Sequence, residues 1–183
     1  MIRLNTPLTE EDVLKLNTGD FVFISGTIFT ARDKAHKFLL DSSFEKLRGS
    51  VVYHCGPIIK ENAAVAAGPT TSSRMNQFTP AIIEKYGIKG IIGKGGMDSS
   101  VLNALKGKAV YLSAIGGAAV LYASHITVKN VYKPEFGMPE AIWEFEVKDF
   151  PVIVAMDAKG NSLYKDVCRK SKDVFLKIIN ANI

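Results

Sequence analysis

The spacing of hydrophobic positions changes several times along the first two thirds of the chain, between a strand pattern and a helix pattern. Residues 21–29 are rich in Phe, Val, Ile and Thr, which is typical of a strand. Residues 30–40 then change to helical spacing, with Thr30 as the expected N-cap and Ala35, Phe38 and Leu39 as the apolar stripe. Four more strands are predicted at 51–53, 62–67, 88–92 and 108–112. Three more helices are predicted at 79–86, with Thr79 as the expected N-cap, at 98–105 and at 118–123.

The pattern differs at the two ends. Residues 1–19 look like a lead-in segment in which a helix begins after Thr9. Beyond His125 strands cluster at 126–132, 143–147 and 151–156, and a C-terminal helix is predicted at 163–179. Helices and strands alternate in the middle, whereas strands follow one another near the end. We therefore predict one domain over residues 1–183, either an α/β domain with mixed sheets and flanking helices or a layered β/β/α domain, rather than a pure Rossmann sheet.

The composition is that of an ordinary globular protein, with 47% hydrophobic and 22% charged residues. The longest apolar runs are far too short to span a bilayer. The first residues lack an apolar core followed by a small-residue cleavage site, which a secretory signal requires. These features lead us to expect a soluble, cytoplasmic protein.

The chain carries a net charge of +5. Nucleic-acid binding would explain a basic chain, but the lysines are scattered and aromatic residues do not interleave with arginines. An acidic metabolite, an acidic partner subunit or simply a solvated lysine surface explains the excess as well. Nucleic-acid binding is therefore the last of these alternatives, and it would show steep salt dependence.

Two cysteines, Cys55 and Cys168, form neither a CxxC pair nor a disulfide framework. Cys55 follows an apolar run and is expected to end a buried strand as a small hydrophobic residue. Its neighbour His54 would point to the opposite face of such a strand, so a metal site there is not expected. An iron–sulfur cluster needs three or four cysteines, so this chain alone cannot hold one.

The segment 68–75, Gly-Pro-Thr-Thr-Ser-Ser-Arg-Met, is the first candidate for chemistry. Thr70 and Thr71 at the end of an extended run can share one face with Arg74, inside a short helix that Ser72 or Ser73 could cap. Hydroxyls, free N–H groups at the helix start and a guanidinium together suit a carboxylate or phosphate. The alternative, a capped helix with a surface arginine, is favoured by the pattern alone.

Lys94 is the second candidate, in the segment 93–97, Gly-Lys-Gly-Gly-Met. It follows a predicted strand, and ligands of open α/β sheets collect beyond the carboxyl ends of strands. Flanking glycines allow close backbone approach, although the spacing is not that of a Walker loop. A flexible turn with an exposed lysine remains the alternative.

A third candidate lies at the start of the helix that follows the strand 21–29. Arg32 and His36 are spaced four residues apart, and Arg32 could reach the same rim as the two loops. Asp33 could simply complement the helix dipole. His36 could carry a proton, although a surface histidine is the more frequent outcome.

Five segments together carry a family resemblance. In chain order they are 30–36 (TARDKAH), 54–57 (HCGP), 68–75 (GPTTSSRM), 93–97 (GKGGM) and 137–143 (GMPEAIW). This set resembles the class I (iron–sulfur) fumarate hydratases, in their C-terminal domain or in the separate β subunit of the two-subunit forms. The β subunit of L-tartrate dehydratase is a close relative, and these motifs do not separate the two.

The resemblance implies a swivelling β/β/α fold and a partner α subunit, in an αβ heterodimer or α2β2 assembly. In this family the partner supplies three cysteines to a 4Fe-4S cluster whose open iron acts as Lewis acid on the leaving hydroxyl. The implied reaction is the reversible dehydration of (S)-malate to fumarate, with tartrate dehydration as the alternative. A non-catalytic anion-binding or assembly module is the alternative of another class.

The resemblance also implies roles for particular residues. Those expected to line the substrate side, facing the partner's cluster, are Arg32, Thr70, Thr71, Arg74 and Lys94. The three cations would stabilise the negative charge that grows on the far carboxylate as the neighbouring carbon loses its proton. Thr70 is the candidate base, which requires strong lowering of its pKa by nearby cations.

Overall fold

The structure, a computed structural model, describes residues 1–180. The strands are β1 (Ile2–Asn5), β2 (Phe21–Thr30), β3 (Val51–Tyr53), β4 (Ile58–Lys60), β5 (Ala63–Ala66), β6 (Gly90–Gly93), β7 (Val110–Ser113), β8 (Ile126–Tyr132) and β9 (Ile142–Met156). The helices are α1 (Glu10–Lys15), α2 (Asp33–Asp41), α3 (Thr79–Tyr86), α4 (Ser99–Leu105), α5 (Ala119–Ala123) and α6 (Leu163–Asn180). Short 3-10 turns lie at Glu45–Leu47, Ser72–Met75 and Pro134–Phe136.

Seven of the strands form one mixed sheet, in the order β1-β2-β3-β6-β7-β9-β8, and β4 and β5 form a separate hairpin. The pairs β1–β2, β2–β3, β3–β6 and β6–β7 are parallel. The long strand β9 runs antiparallel to β7, to β8 and also to β2. It therefore joins the far side of the sheet back to β2. Because β2, β3 and β6 are parallel neighbours, their carboxyl ends lie at one edge.

Two hydrophobic clusters cover opposite faces of the parallel strands. Side chains of β3 alternate between them, because Val51 and Tyr53 belong to one cluster and Val52 to the other. On β6, Ile92 and Ile91 divide in the same way. Strands buried on both faces need apolar residues at every position, which explains why these two segments are continuous apolar runs.

The predicted α/β fold with mixed sheets and flanking helices is confirmed, and the arrangement is consistent with a swivelling β/β/α domain. Two elements were missed: β1, inside the expected lead-in segment, and β4, the first strand of the hairpin. The strands predicted at 143–147 and 151–156 are one strand, β9. Asp149 adopts a left-handed conformation there, with φ of 48°, and β9 stays paired with β2 on both sides of a bulge.

Two predicted helix caps are wrong. Thr30 does not cap α2, because its hydroxyl donates to Ala141 O at 3.3 Å and accepts from Trp143 N at 2.9 Å, which ties β2 to β9. Thr79 is the first residue of α3 rather than its cap, and its hydroxyl donates to Met75 O at 2.8 Å. The Thr30 oxygen is thus taken by the N–H of Trp143, and Thr79 lies inside the first turn of its helix, where its hydroxyl bonds back to the preceding turn.

No helix among residues 1–180 is long and apolar enough to cross a membrane. The longest, α6, contains no buried residue, and it packs against the rest of the molecule mainly through β9.

Asp157 organises the turn between β9 and α6. Its buried carboxylate accepts hydrogen bonds from the backbone N–H groups of Thr18, Lys159 and Asn161 and from the Asn161 side chain, at 2.9–3.2 Å. Burial raises the pKa of this carboxyl, but these hydrogen bonds outweigh that effect and leave the pKa below its ordinary value.

We predict that Asp157→Ala lowers the free energy of unfolding by about 2–4 kcal/mol, because several buried donors lose their acceptor. Urea denaturation followed by circular dichroism measures this loss. The matched control is Asp173→Ala on the exposed surface of α6, which we expect to change the same free energy by less than about 0.5 kcal/mol. Equal losses in the two variants would contradict the prediction.

Candidate functional site

Three segments that carry candidate residues meet at one edge of the sheet. Arg32 follows β2, His54 follows β3 and Lys94 follows β6, and these three strands are parallel neighbours. The segment 68–75 joins them, because Thr70 N donates to His54 O at 2.7 Å. This is the edge where ligands of α/β sheets collect.

Backbone hydrogen bonds join the two glycine-framed loops directly. Lys94 N donates to Thr70 O at 3.2 Å, and Ser72 N donates to Lys94 O at 3.0 Å, so Thr71 and Lys94 form a parallel bridge. The candidates Thr70, Thr71 and Lys94 therefore lie side by side, although they are far apart in the sequence. Gly93 permits this approach, since a Cβ there would overlap Ser72 Oγ and lie 3.3 Å from His54 Nδ1.

The predicted cap of the arginine-bearing turn is absent. Ser72–Met75 is a 3-10 turn preceded by Thr71, with no side-chain capping bond. Ser72 is instead buried, with its hydroxyl turned toward His54. The turn directs Arg74 across to α2, where its guanidinium pairs with the carboxylate of Asp33. The side chains of this pair are 48% and 31% exposed, so a ligand carboxylate can compete with Asp33 for the guanidinium at little cost.

The side chain of Arg32 is more deeply buried than that of Arg74. Its Nε lies 3.3 Å from Glu140 Oε1, and both side chains are mostly buried. Glu140 also accepts from Lys34 N at 2.9 Å, so it anchors the start of α2. Gly56 passes so close that a Cβ at that position would overlap the Arg32 guanidinium. The role of Glu140 was missed, although it lies inside the GMPEAIW segment.

Lys94, Thr70 and Thr71 present polar groups that the protein does not use. Thr70 and Lys94 are half-buried and Thr71 is exposed. Across residues 1–180 the ammonium of Lys94 forms no ion pair, and the two hydroxyls form no hydrogen bond to another protein group. One cation and two hydroxyls are thus free to bind an anion at the edge of the sheet.

Two histidines lie buried beneath these loops. His36 Nδ1 is 2.9 Å from Arg32 O, and because a carbonyl only accepts, Nδ1 carries the proton. The rings of His36 and His54 are 5.1 Å apart, edge to face. Burial lowers the pKa of His36 to about 4, and burial together with the neighbouring His36 lowers the pKa of His54 well below its usual range. The expectation of a surface histidine at position 36 is wrong.

The described residues do not fit a resident metal or iron–sulfur cluster. Across positions 1–180 no three His, Cys, Asp or Glu side chains are grouped so as to hold a metal ion. Cys55 is buried, as expected, and burial raises the pKa of its thiol to about 12. Cys168 is exposed on α6. A thiolate ligand set, which a cluster requires, is therefore not present here.

Comparison with known proteins decides the family. The model of the family described as "Fumarase C-terminus" matches residues 1–167. The chain belongs to this family. The resemblance inferred from the five segments is thereby confirmed.

Three relatives match most of this fumarase C-terminus chain, but the matched region covers different shares of their own length. A provisionally named fumarate hydratase class I of Geobacillus stearothermophilus is 47% identical over 179 residues, which cover 93% of this chain but 35% of that protein. A provisionally named L(+)-tartrate dehydratase subunit beta of Methanocaldococcus jannaschii is 46% identical, covering 89% of this chain and 91% of the relative. The L(+)-tartrate dehydratase subunit beta of Escherichia coli K12 is 38% identical, covering 87% and 85%.

The buried histidines predict how stability changes with pH. His36 has a pKa of about 4 when folded and an ordinary value of 6.5, so the unfolded chain takes up a proton that the folded chain refuses. This penalty is absent above pH 6.5 and grows as the pH falls toward 4. We expect His36→Gln to reduce the slope of unfolding free energy against pH in this window by up to about 1.4 kcal/mol per pH unit.

Urea denaturation at half-unit pH intervals measures the slope. The matched control is Leu39→Ala, a buried neighbour on α2, which should lower stability equally at every pH and keep the wild-type slope. An unchanged slope in His36→Gln would show that this histidine is charged in the folded protein.

Proposed function

We propose that this chain is the β subunit, or the equivalent C-terminal domain, of a hydro-lyase that reversibly dehydrates (S)-malate to fumarate. The observation that carries the proposal is the pair of loops joined by backbone hydrogen bonds, which sets Lys94 beside two free hydroxyls. The family match and a relative named as a fumarate hydratase class I support it. A dicarboxylate would bind with one carboxylate between Lys94 and the guanidinium of Arg74.

L-tartrate is the second candidate substrate. Two relatives named as L(+)-tartrate dehydratase subunit beta align over most of their own length, at 91% and 85%. Malate and tartrate are both 2-hydroxy dicarboxylates, so the same cations would bind either. They differ by one hydroxyl, and a site built to hydrogen-bond that group would reject a substrate that lacks it.

The proposed chemistry of this chain is electrostatic. Loss of the proton next to a carboxylate pushes negative charge onto that carboxylate in the transition state. Cations that already face the carboxylate stabilise this charge without reorganising. Lys94 is free to do so, and Arg74 would do so after exchanging the Asp33 carboxylate for that of the substrate. Arg32, which is paired with Glu140, would add positive potential from the buried side of the site.

Thr70 is our candidate for the base. Its hydroxyl is half-buried and makes no hydrogen bond to another group of residues 1–180, which leaves it free to face the substrate. Its backbone is fixed on both sides, by the bonds to His54 O and from Lys94 N. A threonine alkoxide requires a strongly positive surrounding, and the backbone bond from Lys94 N to Thr70 O brings the unpaired Lys94 beside it.

The partner completes the proposal. Following the resemblance to the class I fumarate hydratases, we assign the iron–sulfur group and the departure of the hydroxyl to an α subunit; relatives named as a subunit beta support the existence of such a partner. The two chains would assemble as an αβ heterodimer or α2β2, with the candidate loops at the contact between them.

Substitution of Lys94 and of Arg74 tests the proposed site. We expect Lys94→Ala and Arg74→Ala each to reduce kcat/KM by about 100-fold or more, because each removes a charge that faces the developing negative charge. The variants are co-expressed with the α subunit under anaerobic conditions, the cluster is reconstituted, and malate, fumarate and both tartrate enantiomers are assayed.

Matched controls remove cations of the same kind elsewhere. Lys108→Ala and Arg48→Ala each break an exposed ion pair, with Glu84 and Glu45. We expect both controls to retain near wild-type turnover. Near wild-type turnover in Lys94→Ala would refute the site. If the wild-type complex turns over none of the four substrates, the chain is a non-catalytic module instead.

A further inference from the structure

A buried chain of polar side chains lies directly beneath the two candidate loops. His54 Nδ1 is 2.9 Å from Ser72 Oγ, and Tyr111 Oη is 3.0 Å from the same Ser72 Oγ. Tyr111 Oη also lies 2.7 Å from Gly95 O. All three side chains, those of His54, Ser72 and Tyr111, are fully buried. None of them was among the candidate residues of the sequence.

The contacts of Tyr111 join the two loops from below. Ser72 directly follows Thr71, and Gly95 directly follows Lys94. Tyr111 itself is on β7, next to β6, so its ring position is set by the sheet rather than by either loop. Its hydroxyl carries one proton and lies within donating distance of both loops. Strand β7 thus fixes the positions of both loops through the hydroxyl of Tyr111.

Packing alone does not require the hydroxyl of Tyr111. The ring lies in an apolar cluster with Ile91, Met97 and Ala155, which a phenylalanine ring would fill equally well. Burying a hydroxyl costs free energy unless it is hydrogen-bonded, and burial raises the pKa of Tyr111, so it stays a neutral donor. The Ser72 hydroxyl, too, would cost free energy to bury without a hydrogen bond. It occupies the space left by the missing side chain of Gly93.

We propose that Tyr111 and Ser72 are positioning residues, whose buried hydroxyls hold the Thr70–Thr71 segment against Lys94 at the separation that a dicarboxylate needs. His54 supports Ser72 from the side of β3. The inference rests on the proposed function of the site. Neither side chain would touch the substrate, and their effect would pass through the backbone at Thr71 and Lys94.

The expected effect is on turnover rather than on binding. In Tyr111→Phe the backbone bonds between Ser72 and Lys94 and between Lys94 and Thr70 remain, but the loops lose their common support. Misplacement of catalytic groups by about 1 Å can cost about 100-fold in rate. We expect kcat to fall at least about 10-fold, and KM to change less than about threefold, because the cations that bind the carboxylates remain.

Tyr86→Phe is the matched control. Tyr86 is also buried, and its hydroxyl lies 2.8 Å from Leu39 O and 2.7 Å from Ser42 O, away from the candidate loops. Tyr86→Phe therefore removes a buried, hydrogen-bonded tyrosine hydroxyl, as Tyr111→Phe does. We expect both variants to lower the urea midpoint by similar amounts, and only Tyr111→Phe to lower kcat. Ser72→Ala is the second test variant, and it should behave like Tyr111→Phe.

A second measurement does not depend on activity. Amide hydrogen exchange is followed in the full chain at Ser72 and Lys94, whose N–H groups donate between the loops. We expect at least about a fivefold faster exchange at both amides in Tyr111→Phe and Ser72→Ala, and wild-type rates in Tyr86→Phe.

The outcomes separate the inference from the proposed function. Unchanged exchange at these amides in both test variants, or an equal loss of kcat in Tyr86→Phe, overturns the positioning role. If wild-type complex is inactive toward every substrate while exchange rises as expected, the proposed function fails and the support of the loops by Tyr111 and Ser72 stands.

Discussion

The close approach between the backbone at Gly93 and the side chain of Ser72 controls the rest of the candidate site. Only a residue without a Cβ fits there, and the contact brings the two loops within reach of each other. The backbone bonds between Lys94 and the segment Thr70–Ser72 then fix their register. The sheet supplies the base for this contact, because parallel β3 and β6 end at the same edge. The hydroxyls and the ammonium that face outward owe their positions to this buried contact.

The charges of the site are arranged in two layers. Arg32 and Arg74 are paired with Glu140 and Asp33, one pair mostly buried and the other largely solvated, while Lys94 has no acidic partner among residues 1–180. The more exposed pair is the easier to exchange for a ligand, since solvent screening keeps its net worth small. Below them, His36 and His54 stay neutral because they are buried, so they add no positive charge that would repel the cations above. Among these site residues the unpaired positive charge is therefore that of Lys94.

Much of the fold could be predicted from the sequence, because apolar spacing and the Gly and Pro positions directly mark strands, helices and turns. The candidate loops could also be found, since hydroxyls and cations between glycines are local features. The partners of these residues could not. Asp33 and Glu140 reach their arginines from positions 41 and 108 residues away (74−33 and 140−32). Thr30 and Thr79 had the right residue type for caps, but their hydroxyls bond to the Ala141–Trp143 segment and to the preceding turn instead. Tyr111 looks like an ordinary core position, and Ser72 was expected only as a possible helix cap; the fold brings their hydroxyls together.

We propose that this chain supplies the carboxylate-binding half of an active site shared with a partner. A crystal structure of the complex with a bound, unreactive dicarboxylate tests this proposal. We expect one carboxylate within hydrogen-bond distance of Lys94 Nζ and of the Arg74 guanidinium, with Arg74 released from Asp33. A dicarboxylate bound without contact to either side chain, and an intact Arg74–Asp33 pair, would contradict it.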